Sequence, residues 1–194
     1  LDTPEDLRYL LSRLKNDHIP TPVECRMLMQ RICSVPDRIV NHCRVVAKTA
    51  AILASAVNRT GLDVDADLVY TAALVHDVGR GKKSHAEVGA DLLEKWGFPE
   101  PAAIVRTHMD MAVDGTRPIS EAEIVHLADK LIAGDRRVDL VHRFREKMKR
   151  YEKNPQAVAA VQCRLKTALK IKTKLERATG RCINEILNDT GRVA

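Results

Sequence analysis

The sequence predicts an all-α fold, and three observations carry that expectation. Apolar residues recur at threes and fours in one segment after another, as in Ile39, Cys43, Val46, Ala50, Leu53 and Val57. Helix-starting residues stand ahead of those segments, and nothing reads as a convincing strand. Aromatic residues make up only 3% of a chain that is 45% apolar, so Ala, Leu, Val and Ile must fill the core, and small aliphatic side chains suit close helix packing.

The elements follow in order. Thr3-Pro4-Glu5-Asp6 and Thr21-Pro22-Val23-Glu24 each set a capping Thr before a Pro at the first helical position, with acidic residues where the helix dipole favours them. Each is expected to start a helix. Pro36-Asp37 opens the next, which runs to about Asn58, ahead of Gly61. Residues 65–77 form another, broken by Gly79 and Gly81. Ser84-His85-Ala86-Glu87 has capping-box spacing and leads into a helix ending near Trp96-Gly97; a short helix then runs from Pro99 or Pro101 to about His108. A polar loop at 110–118 separates it from the helix that starts at Ser120-Glu121-Ala122-Glu123, carries Asp129 and stops near Gly134. Two further helices cover 139–151 and 155–179, and a last short one follows Gly180.

The chain of 194 residues is the size of one domain, expected as N-terminal helices at 1–35, a core at 36–140 and basic C-terminal helices at 141–194 that pack on it. Net charge is +6 and unevenly placed: residues 136–181 hold fifteen Lys or Arg against four Asp or Glu, about +11, so the rest is net acidic. That stretch either attracts anions or forms a solvated helical face. Nucleic acid is not an expected partner, because aromatics for base stacking are scarce. Five cysteines, odd in number and nowhere CxxC, suggest neither a disulfide framework nor a zinc-thiolate site, and a reducing cytoplasm is the expected compartment. No apolar run nears the roughly 20 residues of a membrane span, so no membrane partner is expected. A homodimer is compatible with the sequence.

The chemistry gathers on a few residues. His42 shares a helical face with Ile39 and Val46, so its imidazole is directed inward. His76 and Asp77 end a helix that is apolar on most sides, and Asp129 shares a face with Val125 and Ile132. Burying an ionised carboxylate without a partner costs several kcal/mol, or the group protonates. Two carboxylates and two histidines on inward faces of three helices are matched most simply by a divalent metal.

The order His42, His76-Asp77, Asp129, with the contexts Leu74-Val75-His76-Asp77-Val78-Gly79-Arg80-Gly81 and Leu127-Ala128-Asp129-Lys130, resembles the HD-domain superfamily of metal-dependent phosphohydrolases. The resemblance covers roughly residues 36–140 and implies an all-α HD-domain helical bundle, here with additional terminal helices. In the dinuclear branch of that superfamily two histidines between the HD pair and the last Asp hold a second metal. Carried over by position, His42, His76, Asp77 and Asp129 hold one ion, and Asp77, His85 and His108 the other. Helix-start and helix-end polar residues are the alternative readings of His85 and His108. Imidazole and carboxylate ligands suit Fe, Mn, Ni, Co or Zn, and spacing does not choose among them.

The expected activity is hydrolysis of a phosphate ester or anhydride, with a small-molecule nucleotide as substrate and a metal-activated water as nucleophile. Asp77, Arg80 and Lys130 are the expected catalytic residues. Lys82, Lys83, Arg136 and Arg137 are expected to bind substrate phosphates, each with surface solvation as its other reading. His126 is expected in a supporting or surface place, and His18 and His142 in structural or exposed ones. The alternatives are a metal-containing nucleotide sensor without turnover and a di-iron oxygenase of the same fold. Finally, Leu1-Asp2-Thr3-Pro4-Glu5-Asp6-Leu7 is similar to the closing segment of molybdenum-cofactor-type nucleotidyltransferases, so an upstream domain of that kind is expected, with an ordinary capped helix as the other reading.

Overall fold

In the computed structural model, which describes residues 19–189, helices begin where capping chemistry places them. Thr21 accepts from the Glu24 amide while the Glu24 carboxylate returns to the Thr21 amide at 2.7 Å, and α1 runs Pro22–Met27 before one π-helical turn at Leu28–Ile32. The long α2 spans Asp37–Asn58 and α3 spans Ala66–Val75 from an Asp65 cap. α4 is His85–Lys95 and α5 is Pro99–Thr107. α6, Glu121–Leu131, carries the Ser120–Glu123 capping box; α7 is Leu140–Arg150, α8 Pro155–Thr179, and α9 Ile183–Asn188. The chain is thus an all-α helical bundle with helices added beyond the core.

Three details differ from the sequence expectation, and one expected helix falls outside the described residues. α3 stops at Val75, with His76 as its cap, so Asp77 belongs to the following turn and is not helical. Ser84 makes no side-chain cap; it sits in left-handed backbone (φ 53°), which turns its hydroxyl away from the usual capping geometry. After α6 the chain forms a two-residue hairpin, β1 Ile132–Ala133 against β2 Arg136–Arg137, closed by Gly134 at φ +62°. The helix expected at Thr3-Pro4 lies outside the described residues.

Two apolar clusters build the core. One joins α2, α3, α6, α7, α8 and α9 through residues such as Leu53, Leu127, Phe144 and Ile171; the other joins α1, the start of α2, α4 and α5 through Leu28, Leu93, Phe98 and Val105. α2 packs along both α3 and α6, while α4 pairs with α5. His42 is flanked by Val40 and Cys43 of the second cluster and His76-Asp77 by Val75 and Val78 of the same cluster, whereas Asp129 lies between Ala128 and Leu131 of the first; His42 and Asp129 meet at 3.2 Å, so the candidate ligands lie along the seam between the clusters. All five cysteines are free. Among the described residues no helix is long and apolar enough to cross a membrane.

Candidate metal centre

A common local device aims three of the histidines. His76 caps α3 and His108 caps α5, and each ring hands its Nδ1 to a carbonyl three residues back, Ala73 at 2.8 Å and Val105 at 2.6 Å. His42 reaches the Gly134 carbonyl through Nδ1 at 2.7 Å. A carbonyl only accepts, so Nδ1 carries the proton in each ring, and Nε2 is left with its lone pair facing the site. His85 is half-buried at the first position of α4, with Nε2 3.2 Å from His108 Nε2. Gly79 makes that placement fit: a Cβ there would run into the His85 carbonyl and lie 2.8 Å from the Gly89 amide.

Asp77 is the centre of the arrangement. Its Oδ1 lies 3.3 Å from His85 Nε2 and 3.7 Å from His108 Nε2, and its Oδ2 lies 3.8 Å from His76 Nε2. Arg80 reaches both Asp77 oxygens at 3.2 Å. Burial alone would raise this carboxyl's pKa, but contacts from His108 and His85 and the fields of His76 and Arg80 outweigh it and hold the group well below the usual carboxylate range. Asp129 sits in the last turn of α6, where the helix dipole opposes a negative charge. Burial opposes it further, yet Lys130, His42, His76 and Arg143 together keep it ionised. Its Oδ1 lies 3.2 Å from His42 Nε2 and 3.8 Å from His76 Nε2. Burial lowers the pKa of His42, but the Asp129 contact outweighs it and the net shift is upward; for His76 burial prevails and the pKa falls to about 4.

Two trios of mutually close donors result, His42-His76-Asp77 and Asp77-His85-His108, sharing Asp77. A divalent cation fits them on the chemistry of the donors. His76 Nε2 is buried with no hydrogen-bond partner among the described residues, although two carboxylates lie 3.8 Å away. With the rings neutral, the Nε2 lone pairs of His76 and His108 face carboxylate oxygens, and such pairs repel unless positive charge, a proton or a metal ion, lies between them.

His42, Asp77 and Asp129 line a cavity of about 270 Å³ whose cationic lining is Arg38, Arg80, Lys130, Arg143, Lys147 and Arg164. Of the expected substrate and catalytic cations, Arg80 and Lys130 line it. Lys130 does not point away from Asp129 as its place on the helix suggests: it is buried, and its Nζ donates to Asp129 Oδ2 at 2.6 Å and to the His108 carbonyl at 3.0 Å, because its flexible stem bends back to the nearest buried charge. Lys82 and Lys83 are exposed and outside the lining, and so are Arg136 and Arg137, the latter turned to Asn188 at 2.7 Å. His126 is fully buried rather than at the surface, His142 is exposed, and His18 lies outside the described residues. Arg38, Arg143, Lys147 and Arg164 also line the cavity and were not among the residues expected from the sequence. For Arg143 and Lys147 there was a signal, since Leu140, Phe144 and Lys147 are spaced four and three apart on the inward face of α7.

The chain is 30% identical, over 69% of its length and 88% of the relative's, to a functionally uncharacterized protein of Methanocaldococcus jannaschii. It is also similar to two proteins named tRNA (cytidine(56)-2'-O)-methyltransferase, from Thermoplasma volcanium (30% identity over 66% of the chain) and Picrophilus torridus (27% over 89%). It spans only 42% and 51% of the length of those two. No solved structure is significantly similar to the chain. The family description "HD domain" matches residues 39–134, which take in the whole seam from His42 to Asp129 and end on the glycine that holds the His42 ring, so the chain belongs to the HD-domain family.

Proposed function

We propose that the chain is a metal-dependent hydrolase of phosphate esters or anhydrides, with a nucleotide as its substrate. The observation that carries this reading is that two donor trios sharing Asp77 lie beside a cavity that His42, Asp77 and Asp129 line together with six cationic side chains. In this reading His42, His76, Asp77 and Asp129 hold one ion, Asp77, His85 and His108 hold a second, and manganese, iron, cobalt, nickel and zinc all suit the donors. Bound there, such ions supply Lewis-acid polarisation of a phosphoryl oxygen and a water acidified toward neutrality. The chain's own residues supply position and charge. Arg80 keeps Asp77 ionised and reaches the cavity. Lys130 ties Asp129 to the His108 carbonyl, and so to the end of α5. Arg143 is anchored through Nη1 on the carbonyls of Asp129, Lys130 and Ile132, which fixes a guanidinium at the cavity wall. Guanidinium donors match pairs of phosphate oxygens, and Lys147 and Arg164 add charge for the rest of the anion. Lys82, Lys83, Arg136 and Arg137 are outside the proposed contact set. A cationic lining supports an anionic substrate.

The test is a panel of mononucleotides, dinucleoside polyphosphates and cyclic dinucleotides offered to protein loaded in turn with each of these metals. Turnover of at least one member is expected; no turnover by any combination discards the reading. A second reading, a terminal phosphate of RNA as substrate, is favoured by the tRNA-modifying names of two relatives and by the charge of about +11 at 136–181. It requires tRNA binding that weakens steeply with salt.

A further inference from the structure

Beside the metal centre lies a second cavity, of about 380 Å³, which shares Met109 and Arg164 with the first. The loop after α5 supplies Met109 and Met111 to its wall, and α8 supplies Arg164 and Thr167. His126 lines it while exposing 0% of its surface, which puts the imidazole at the floor. Both ring nitrogens are buried, and neither has a hydrogen-bond partner among the described residues. The contrast with His42, His76 and His108 is clear, since each of those rings is held through Nδ1 by a backbone carbonyl. A buried polar group left unpaired costs about 1–3 kcal/mol, so this ring calls for a partner that the described residues do not provide. Burial first, then the field of Lys130, pushes its pKa down to about 3, so near neutral pH the ring is uncharged and offers one N–H and one lone pair.

That chemistry does not suit a phosphate, whose place is among the cations next door. It suits a planar heterocycle bearing its own donors and acceptors, for which methionine side chains form a polarizable, adaptable wall. The volume also lies in the range of roughly 300–1,000 Å³ usual for ligand pockets. We propose that this cavity is a nucleobase subsite in which His126 reads the base edge. Arg164, held by Asp110 through two contacts of 2.7 Å, forms the partition between base and phosphate. The proposal rests on the phosphohydrolase reading for the placement of the phosphate, and it adds a residue that determines which nucleotide is taken.

Calorimetric binding to metal-free full chain tests it, with the four ribonucleoside 5′-monophosphates compared against ribose 5-phosphate. At least one monophosphate should bind about tenfold more tightly than ribose 5-phosphate, the worth of a well-made hydrogen bond plus base burial. His126→Leu should cut that ratio to within about twofold and raise the melting temperature of the free protein, because it removes an unpaired buried polar group. His126→Gln, which keeps a donor and an acceptor, should retain part of the preference. Equal binding of all five compounds, or a preference that survives His126→Leu, overturns the proposal. So does a lower melting temperature in His126→Leu, which would assign the ring to structure alone. Base-independent hydrolysis would sink the subsite and leave the phosphohydrolase reading standing; base-dependent binding without hydrolysis under any metal would do the reverse.

Discussion

At the scale of single residues, Asp77 has the most demanding position, being common to both donor trios while Arg80 is the one Lys or Arg side chain paired with it among the described residues. Asp77→Asn should therefore lose bound metal and activity together. The loss should exceed the roughly 10–100-fold that removal of a ligand's supporting partner costs, as elemental analysis of the purified variant would read. Asn retaining full metal content would refute the shared-ligand assignment. Lys147 supplies a pH dependence. Burial first, then the positive fields of Arg143 and Lys130, pushes its pKa from 10.5 down to about 8. The cavity thus keeps this charge below about pH 8 and loses it above. Affinity for inorganic phosphate should fall roughly tenfold from pH 7 to pH 9, and Lys147→Gln should flatten that limb. In the unfolded chain the lysine keeps its proton to near 10.5, so its contribution to folding stability rises as pH goes from about 8 to 10.5. An affinity profile identical in wild type and Lys147→Gln would count against its place in the site.

At the scale of elements, the site depends on helix ends more than on helix faces. His76 and His108 are both end caps, Asp129 is in a last turn and His85 in a first one. The periodicity that marks an inward face could locate His42 and Asp129, but the turn from Asp77 to Ser84 is set by close approach and not by pattern. Gly79 is its tightest point, against the backbone of His85 and Gly89. Gly79→Ala should destabilise by about 1–3 kcal/mol, a fall of several degrees in melting temperature, because two backbone segments must part. It should also lower the metal-to-chain ratio, since His85 moves with them. A variant that melts and loads metal like the parent would show that the turn is not tight. At Ser84, in the same turn, capping-box spacing is present but left-handed backbone prevents the cap.

At the scale of the whole molecule, α8 is locked over the bundle by a buried ion pair. Lys174 Nζ meets both Glu123 oxygens at 2.7 and 2.8 Å and the Asp114 carbonyl at 2.9 Å. Glu123 also closes the capping box of α6, so one carboxylate ties the start of that helix to the helix that delivers Arg164. Lys174→Met should cost roughly 3–5 kcal/mol by leaving the Glu123 charge buried and unpaired. Adding Glu123→Gln should restore much of the loss, because the amide oxygen still accepts the cap bond without a charge. Denaturant melts of the single and double variants decide this; a double variant no more stable than Lys174→Met alone would argue against the pairing.

The sequence by itself determined the helical class, most helix starts and the ligand candidates, because capping chemistry and apolar periodicity are local and a His or Asp on an apolar face must be accounted for wherever it is read. Asp77 and His108, 31 positions apart, meet only through the α3 and α5 ends, yet their residue types were already legible. What only the tertiary structure decided was which cations face the centre. Lys82, Lys83, Arg136 and Arg137 adjoin ligands in sequence but lie outside the cavity, whereas Arg143, Lys147 and Arg164 reach it from α7 and α8. Long charged side chains take their direction from the packing of their helix and from the nearest buried charge, and neither is written in the neighbouring residues. The same holds for the unpartnered ring of His126, whose isolation exists only once α8 has closed over it.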